Sequence, residues 1–179
     1  MATDNHLLTG HVSDIEAAGP FHAIQALIQL HAEDAIESLL IFFKDFSDDN
    51  WFLDHGYLHS LLRYYQEIGL KALPALITLL SDTAQEEYAR GYAGECIGAI
   101  GQQYPEIRLE CIQALVSTLN TPSSNNEPTY DLNRFIIDAL LDLKAVEALA
   151  DIEQTYKENR VDTFLVNDWD IFQARMGLK

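Results

Sequence analysis

Four segments of the chain repeat one short pattern. Ala35-Ile36-Glu37-Ser38-Leu39, Ala72-Leu73-Pro74-Ala75-Leu76, Cys111-Ile112-Gln113-Ala114-Leu115 and Ala145-Val146-Glu147-Ala148-Leu149 each run small, apolar, variable, small, leucine. Their first residues stand 37, 39 and 34 positions apart (72 − 35, 111 − 72, 145 − 111). A period of this length marks supersecondary units that cannot bury their apolar faces alone and stack on one another to do so.

Each segment opens a stretch with apolar residues three and four apart, as at Leu73, Leu76, Ile77 and Leu80, which puts one stripe on one helix face. Small residues at the first and fourth positions let a neighbouring backbone approach, and the leucine fills the gap between helices. Pro74 is tolerated in a first helical turn, where its missing N–H has no partner to lose. Helices of the same period precede each segment, over Phe21–Leu30, Gly56–Ile68, Glu86–Ile100 and Leu132–Leu143, making four pairs. Boundaries fall at Asp48-Asp49-Asn50, at Ser81-Asp82-Thr83, at Gly101 with Pro105, and in the polar stretch Thr121–Pro128, the longest break and the expected mobile segment.

Composition agrees with an all-α chain. Glycine and proline number 9 + 5 = 14, about 8% of 179 residues, against roughly 12% in average proteins, which favours long helices over many turns. The expected architecture is an α-solenoid of four antiparallel helix pairs in one domain spanning 1–179. Residues 1–18 lead in, 19–160 carry the repeats, and 161–179 form a C-terminal cap in which Trp169, Ile171 and Phe172 cover the last apolar face.

The run Ala72–Ile77 through Leu79-Leu80-Ser81-Asp82, followed by Tyr88-Ala89-Arg90-Gly91-Tyr92-Ala93 and Ile97-Gly98-Ala99-Ile100-Gly101, resembles a HEAT-like repeat. It is similar to the short variety found in phycobilin lyases and in bacterial HEAT-repeat proteins. Arg90 and Arg134 each precede an apolar face residue, Ala93 and Ile137, by three, as the repeat arginine of that family does. The resemblance covers Gly19 to Arg160, and the first pair, Phe21 to Phe46, is aromatic-rich and fits it loosely, as a capping repeat would. It implies a fold; function sits in sites grafted onto folds.

Acidic residues outnumber basic ones 28 to 11, a net charge of −17. Nucleic-acid backbones and anionic membranes repel such a surface, whereas basic proteins are drawn to it. The start Met-Ala-Thr-Asp-Asn-His lacks a signal peptide's basic and apolar regions, no run reaches the ~20 apolar residues of a membrane span, and two cysteines form no framework, so a cytoplasmic setting is expected.

Chemistry is sparse. All six histidines lie in the first third of the chain; His55 and His59, four apart, share a helix face and could hold a metal, but no third ligand stands at a recognisable spacing. Absence of any His-Glu dipeptide removes the paired ligands of a di-iron centre built in two halves of a repeat stack. Cys96 and Cys111 read as small core residues, with no histidine beyond His59 to activate a thiol. Gly91, Gly94, Gly98 and Gly101 follow helical spacing and read as close-packing positions, not as a phosphate loop. No cofactor motif is present.

Aromatic and acidic residues give the functional expectation. Tyr57, Tyr64, Tyr88 and Tyr92, with Glu86, Glu87 and Glu95, could line a surface for Arg- or Lys-rich ligands. The expected role is a non-enzymatic module that binds a basic protein, as an inhibitor or immunity protein would. The family resemblance implies an alternative, a tetrapyrrole (phycobilin) lyase or helper, and metal-dependent activity at His55 and His59 is a third reading.

Overall fold

The computed structural model describes residues 18–44, 55–121, 129–161 and 168–179, which fold into α-helices and short 3₁₀ turns with no strand among them. Nine α-helices follow in order among the described residues: α1 Ala18–Gln29, α2 Ile36–Lys44, α3 His55–Ile68, α4 Leu73–Ser81, α5 Glu87–Gln103, α6 Arg108–Leu119, α7 Tyr130–Asp142, α8 Leu149–Lys157 and α9 Trp169–Met176. The lead-in up to residue 17, the Asp48-Asp49-Asn50 boundary and residues 122–128 of the polar stretch lie outside the described residues.

Local chemistry accounts for the helix ends. Pro74 stands in the first turn of α4, and the Asp82 carboxylate, just past its end, accepts from the Ala84 amide at 3.0 Å. Acidic residues occupy the first turns of α2, α5, α6, α7, α8 and α9, where they meet the positive end of the helix dipole. Asp168 caps α9 by accepting from the Ile171 amide at 3.0 Å, and Gly177, at φ 76°, ends that helix.

Within each pair the two helices are joined through a 3₁₀ turn: Glu33–Ala35, Gly69–Lys71, Pro105–Ile107 and Val146–Ala148. Left-handed residues reverse the chain before or within three of these turns, at His31 (φ 47°), Gly69 (φ 60°) and Lys144 (φ 50°). The residues immediately before the second helices are Ala35, Ala72, Ile107 and Ala148. The repeat pattern therefore keeps its register in the first two pairs and loses it in the others. Cys111 lies four residues past the equivalent Ile107, and Ala145 three before Ala148 (111 − 107, 148 − 145).

Helices pack in chain order. The first helices of the pairs touch in sequence, α1 on α3, α3 on α5 and α5 on α7; among the second helices, α4 meets α6 and α6 meets α8. Helix α5 is the hub, contacting α2, α3, α4, α6 and α7. Its glycines make this possible. A Cβ on Gly94 would meet Ile136, one on Gly98 would meet Ala139, and one on Gly101 would meet Leu143 and Cys111, so α7 and α6 lie close against the α5 backbone. Each glycine costs about 0.5–1 kcal/mol of helix propensity relative to alanine, which the close contact offsets. For the same reason α5 runs through Gly101 to Gln103 rather than breaking at Gly101 as the sequence suggested.

Polar side chains tie the pairs together. The Tyr64 hydroxyl donates to the Ala32 carbonyl at 2.6 Å, Tyr65 to Ile36 at 3.0 Å and Tyr104 to Glu67 at 3.3 Å. Arg90 Nε donates to the Leu80 carbonyl at 2.9 Å and closes the end of α4. Arg90 is the fourth residue of α5, and the fourth residue of α7 is Asn133, not Arg134. Asn133 is too short to repeat the contact and instead holds the Arg160 carbonyl at 2.8 Å, while Arg160 Nη1 donates to the Leu119 carbonyl at 2.6 Å and closes α6. The pairing of Arg90 with Arg134 is thus off by one, and Arg134 turns to another face.

Trp169 and Phe172 stack at 5.3 Å and lie against Tyr156 of α8. Ile171 points to water instead, at 45% exposure, and Met176 is buried in its stead. One helical turn separates residues facing the same way, so Phe172 and Met176 share a face that Ile171 does not.

Candidate functional site

Rings form a continuous run across all four pairs. Phe43 of α2 contacts Tyr65 of α3 at 5.6 Å and Tyr92 of α5 at 5.9 Å; Tyr92 meets Phe135 of α7 at 5.2 Å, and Tyr88 meets Phe135 at 5.8 Å. Such contacts hold the α3, α5 and α7 faces in fixed relation. The Arg134 guanidinium lies 4.0 Å from the Phe135 ring centroid, and its Nε is buried with no hydrogen-bond partner among the described residues.

One helical turn beyond Tyr92 and Arg134 the surface opens into a groove of about 280 Å³. Small residues make its floor: Gly98 and Ala99 from α5 and Ala139 from α7, with Leu62 of α3 as an apolar wall. Polar groups surround it, Glu95 and Gln102 from α5, Asp138 and Asp142 from α7. The groove exists because Gly98 and Ala139 leave no side-chain bulk where the helices meet; a Cβ on Gly98 would come within 3.0 Å of that of Ala139.

Electrostatics in the groove favour an incoming cation. Burial pushes the Glu95 carboxyl up to about 7; Arg134 opposes that, and Asp138 and Asp142 reinforce it. Asp138 is also raised, by burial first, although Arg175 lies 3.6 Å away and Arg134 acts in the same opposing sense. Three carboxylates thus face two arginines. One arginine is partly turned onto an aromatic ring, so an added positive charge would relieve a repulsion already present.

The residues expected from sequence divide into groups. Tyr88, Tyr92 and Glu95 are brought together on the α5 face beside the groove, and burial raises Tyr92 to about 12. Glu86 is exposed at the start of α5; Glu87 accepts from the Leu132 amide at 3.3 Å and anchors the start of α7, its carboxyl raised by burial. Tyr64 does not belong to any surface. Its ring is fully buried and its hydroxyl is spent on the Ala32 carbonyl, because its place on α3 faces the first pair. The side chains of Tyr57 and His55 lie outside the described residues.

His59 is exposed, and among the described residues no three His, Cys, Asp or Glu side chains converge on one point where a metal could sit. Cys96 and Cys111 are buried; burial lifts Cys111 to about 11 and Cys96 well above the ordinary thiol value, the reverse of an activated nucleophile. Asp138, Asp142 and Gln102 were missed as site residues. The signal for the two aspartates was Arg134, Asp138 and Asp142 at four-residue steps, a polar stripe along α7 opposite Leu132, Ile136 and Leu140; Gln102 had none.

No protein-family model, no curated protein and no solved structure matches this chain.

Proposed function

We propose that this chain is a non-enzymatic interaction module, built as a short HEAT-like stack of helix pairs, that binds a basic protein. The carrying observation is the groove between α3, α5 and α7, where Glu95, Asp138 and Asp142 surround a floor of small residues. A lysine or arginine stem suits such a floor, with its charged head among the carboxylates. The net charge of −17 adds steering from a distance. Chain-order packing of the first helices supports the repeat reading. A linear tetrapyrrole carries anionic propionates, which three carboxylates oppose, so the groove favours the protein partner over the pigment.

The test is a tagged pull-down from native lysate, eluted with rising salt and identified by mass spectrometry, run beside the Glu95→Gln/Asp142→Asn variant. A basic protein retained by the parent and lost by the variant supports the proposal. Retention that neither salt nor the variant alters, or a shifted visible absorption band on adding a bilin, overturns it.

A further inference from the structure

The four within-pair turns stand side by side along one edge of the molecule. Lys71 of the second turn pairs with Glu33 of the first at 3.8 Å, and the Tyr104 ring beside the third turn lies against Gly69 of the second. Arg108, directly after the third turn, donates to the Leu143 and Lys144 carbonyls beside the fourth and pairs with Glu147 at 2.8 Å. A large apolar side chain faces water at or beside each turn: Leu70 (50% exposed) and Val146 (54%) lie within the second and fourth turns, Leu30 (76%) just past the end of α1 before the first, and Leu109 (56%) in the first turn of α6 after the third. Scattered exposed leucines need no explanation, but a large apolar residue at or beside every turn of a continuous edge does.

Charge on the same edge is one-sided. Exposed carboxylates at the turns and the first helical residues after them are Glu33, Asp34, Glu37, Glu106, Glu110 and Glu147, against Lys71 and Arg108 there and Lys144 just before the fourth turn, a balance of 3 − 6 = −3. Those cations are already engaged: Lys71 by Glu33, Arg108 by Glu147, and Lys144 by the Arg175 carbonyl at 2.7 Å. A second copy of this chain would bring a like-charged edge, and an anionic lipid surface would be repelled in the same way.

We infer that this turn edge docks an amphipathic basic helix of a partner protein, its apolar face on Leu30, Leu70, Leu109 and Val146 and its lysines or arginines against the flanking carboxylates. The assignment rests on the basic-partner reading and adds to it a second, apolar contact outside the groove. Apolar anchors ringed by opposite charge are how grooves and edges take amphipathic helices.

The probe is a synthetic helical peptide with leucines on one face and lysines on the other, titrated by fluorescence anisotropy. A peptide of the same composition, reordered to break the apolar face, serves as comparison. The full chain is expected to bind the first peptide more tightly than the second, and Leu70→Ser/Leu109→Ser to weaken binding about tenfold or more. Tyr130→Ser, at a comparably exposed residue at the start of α7, the far end of that helix from the fourth turn, should leave it unchanged. All three positions face water, so the variants fold, which circular dichroism checks. Equal affinity for the two peptides, or an unaltered affinity in the leucine double variant, overturns the inference. Loss of binding in Glu95→Gln/Asp142→Asn alone would move the contact to the groove, overturning the edge while sustaining the proposed function. Concentration-dependent dimerisation abolished by the leucine double variant would assign the edge to a second copy and also overturn it.

Discussion

A methyl group on Gly91 would stand 2.6 Å from Cγ of Phe135, because the α7 phenylalanine ring lies on the bare α5 backbone at that point. In an isolated helix, Gly→Ala is worth up to about 1 kcal/mol in favour of alanine. Here the ring is held by Tyr88, Tyr92 and Arg134 and has little room to withdraw. Overpacking of about 1–3 kcal/mol outweighs the propensity gain, so Gly91→Ala lowers the urea midpoint of unfolding. A raised midpoint would show that the ring yields.

Glu95 makes stability depend on pH in a defined window. Its carboxyl is near 7 in the folded chain, against about 4.5 for a free glutamate, so between those values the folded state holds a proton that the unfolded state has released. Stability therefore falls as pH rises from about 4.5 to about 7 and levels off above. Glu95→Gln removes this component and raises stability at pH 8 by on the order of 1–2 kcal/mol, once the solvent-facing part of the side chain is discounted. Thermal unfolding at pH 5 and pH 8, parent against variant, measures it.

A cation entering the groove would draw the Glu95 proton off, so binding and deprotonation are coupled. Affinity for the partner or for a lysine-rich peptide in the groove should rise from pH 6 to pH 8 in the parent. Glu95→Gln should flatten that rise. Calorimetry in two buffers of different ionisation enthalpy would register the released proton directly.

Arg160 closes α6 through the Leu119 carbonyl, and its own carbonyl is held by Asn133. Arg160→Met keeps the apolar stem but leaves the Leu119 carbonyl without its charged donor. A loss of about 1–3 kcal/mol follows, seen as a lowered midpoint and as faster hydrogen exchange at the end of α6.

Tyr64→Phe leaves the ring in place and deletes the hydroxyl that donates to Ala32. The expected cost is about 1 kcal/mol of stability, read by chemical denaturation. Partner affinity should be unaltered, since the ring is buried; a change in binding would place Tyr64 in a role its burial does not suggest.

Much of the helical order was legible before any coordinates. Periodicity at Leu73, Leu76, Ile77 and Leu80 is buried-face spacing, and it placed α4 within a residue or two of its bounds. Glycines at three- and four-residue steps already spoke for close packing of α5. Register across pairs was not legible: Cys111 and Ala145 match the pattern letter by letter, yet Ile107 and Ala148 occupy the equivalent places. A small residue at one position satisfies the pattern as well as a small residue a turn away, and only the neighbouring helix tells them apart.

The candidate site divides along the same line. Sequence alone fixed the surplus of carboxylates, the helices that bear them and the tyrosines at four-residue spacing, because these depend on composition and local period. It left open which side of α3 faces inward, and so grouped the buried Tyr64 with Tyr88 and Tyr92. Tertiary packing decided that Glu95 of α5 meets Asp138 and Asp142 of α7 over a floor of Gly98 and Ala139, and that Asn133 takes the place expected for Arg134. Those outcomes turn on how closely two helices whose first residues, Glu87 and Tyr130, stand 43 positions apart (130 − 87) can approach, a distance set by the atoms between them.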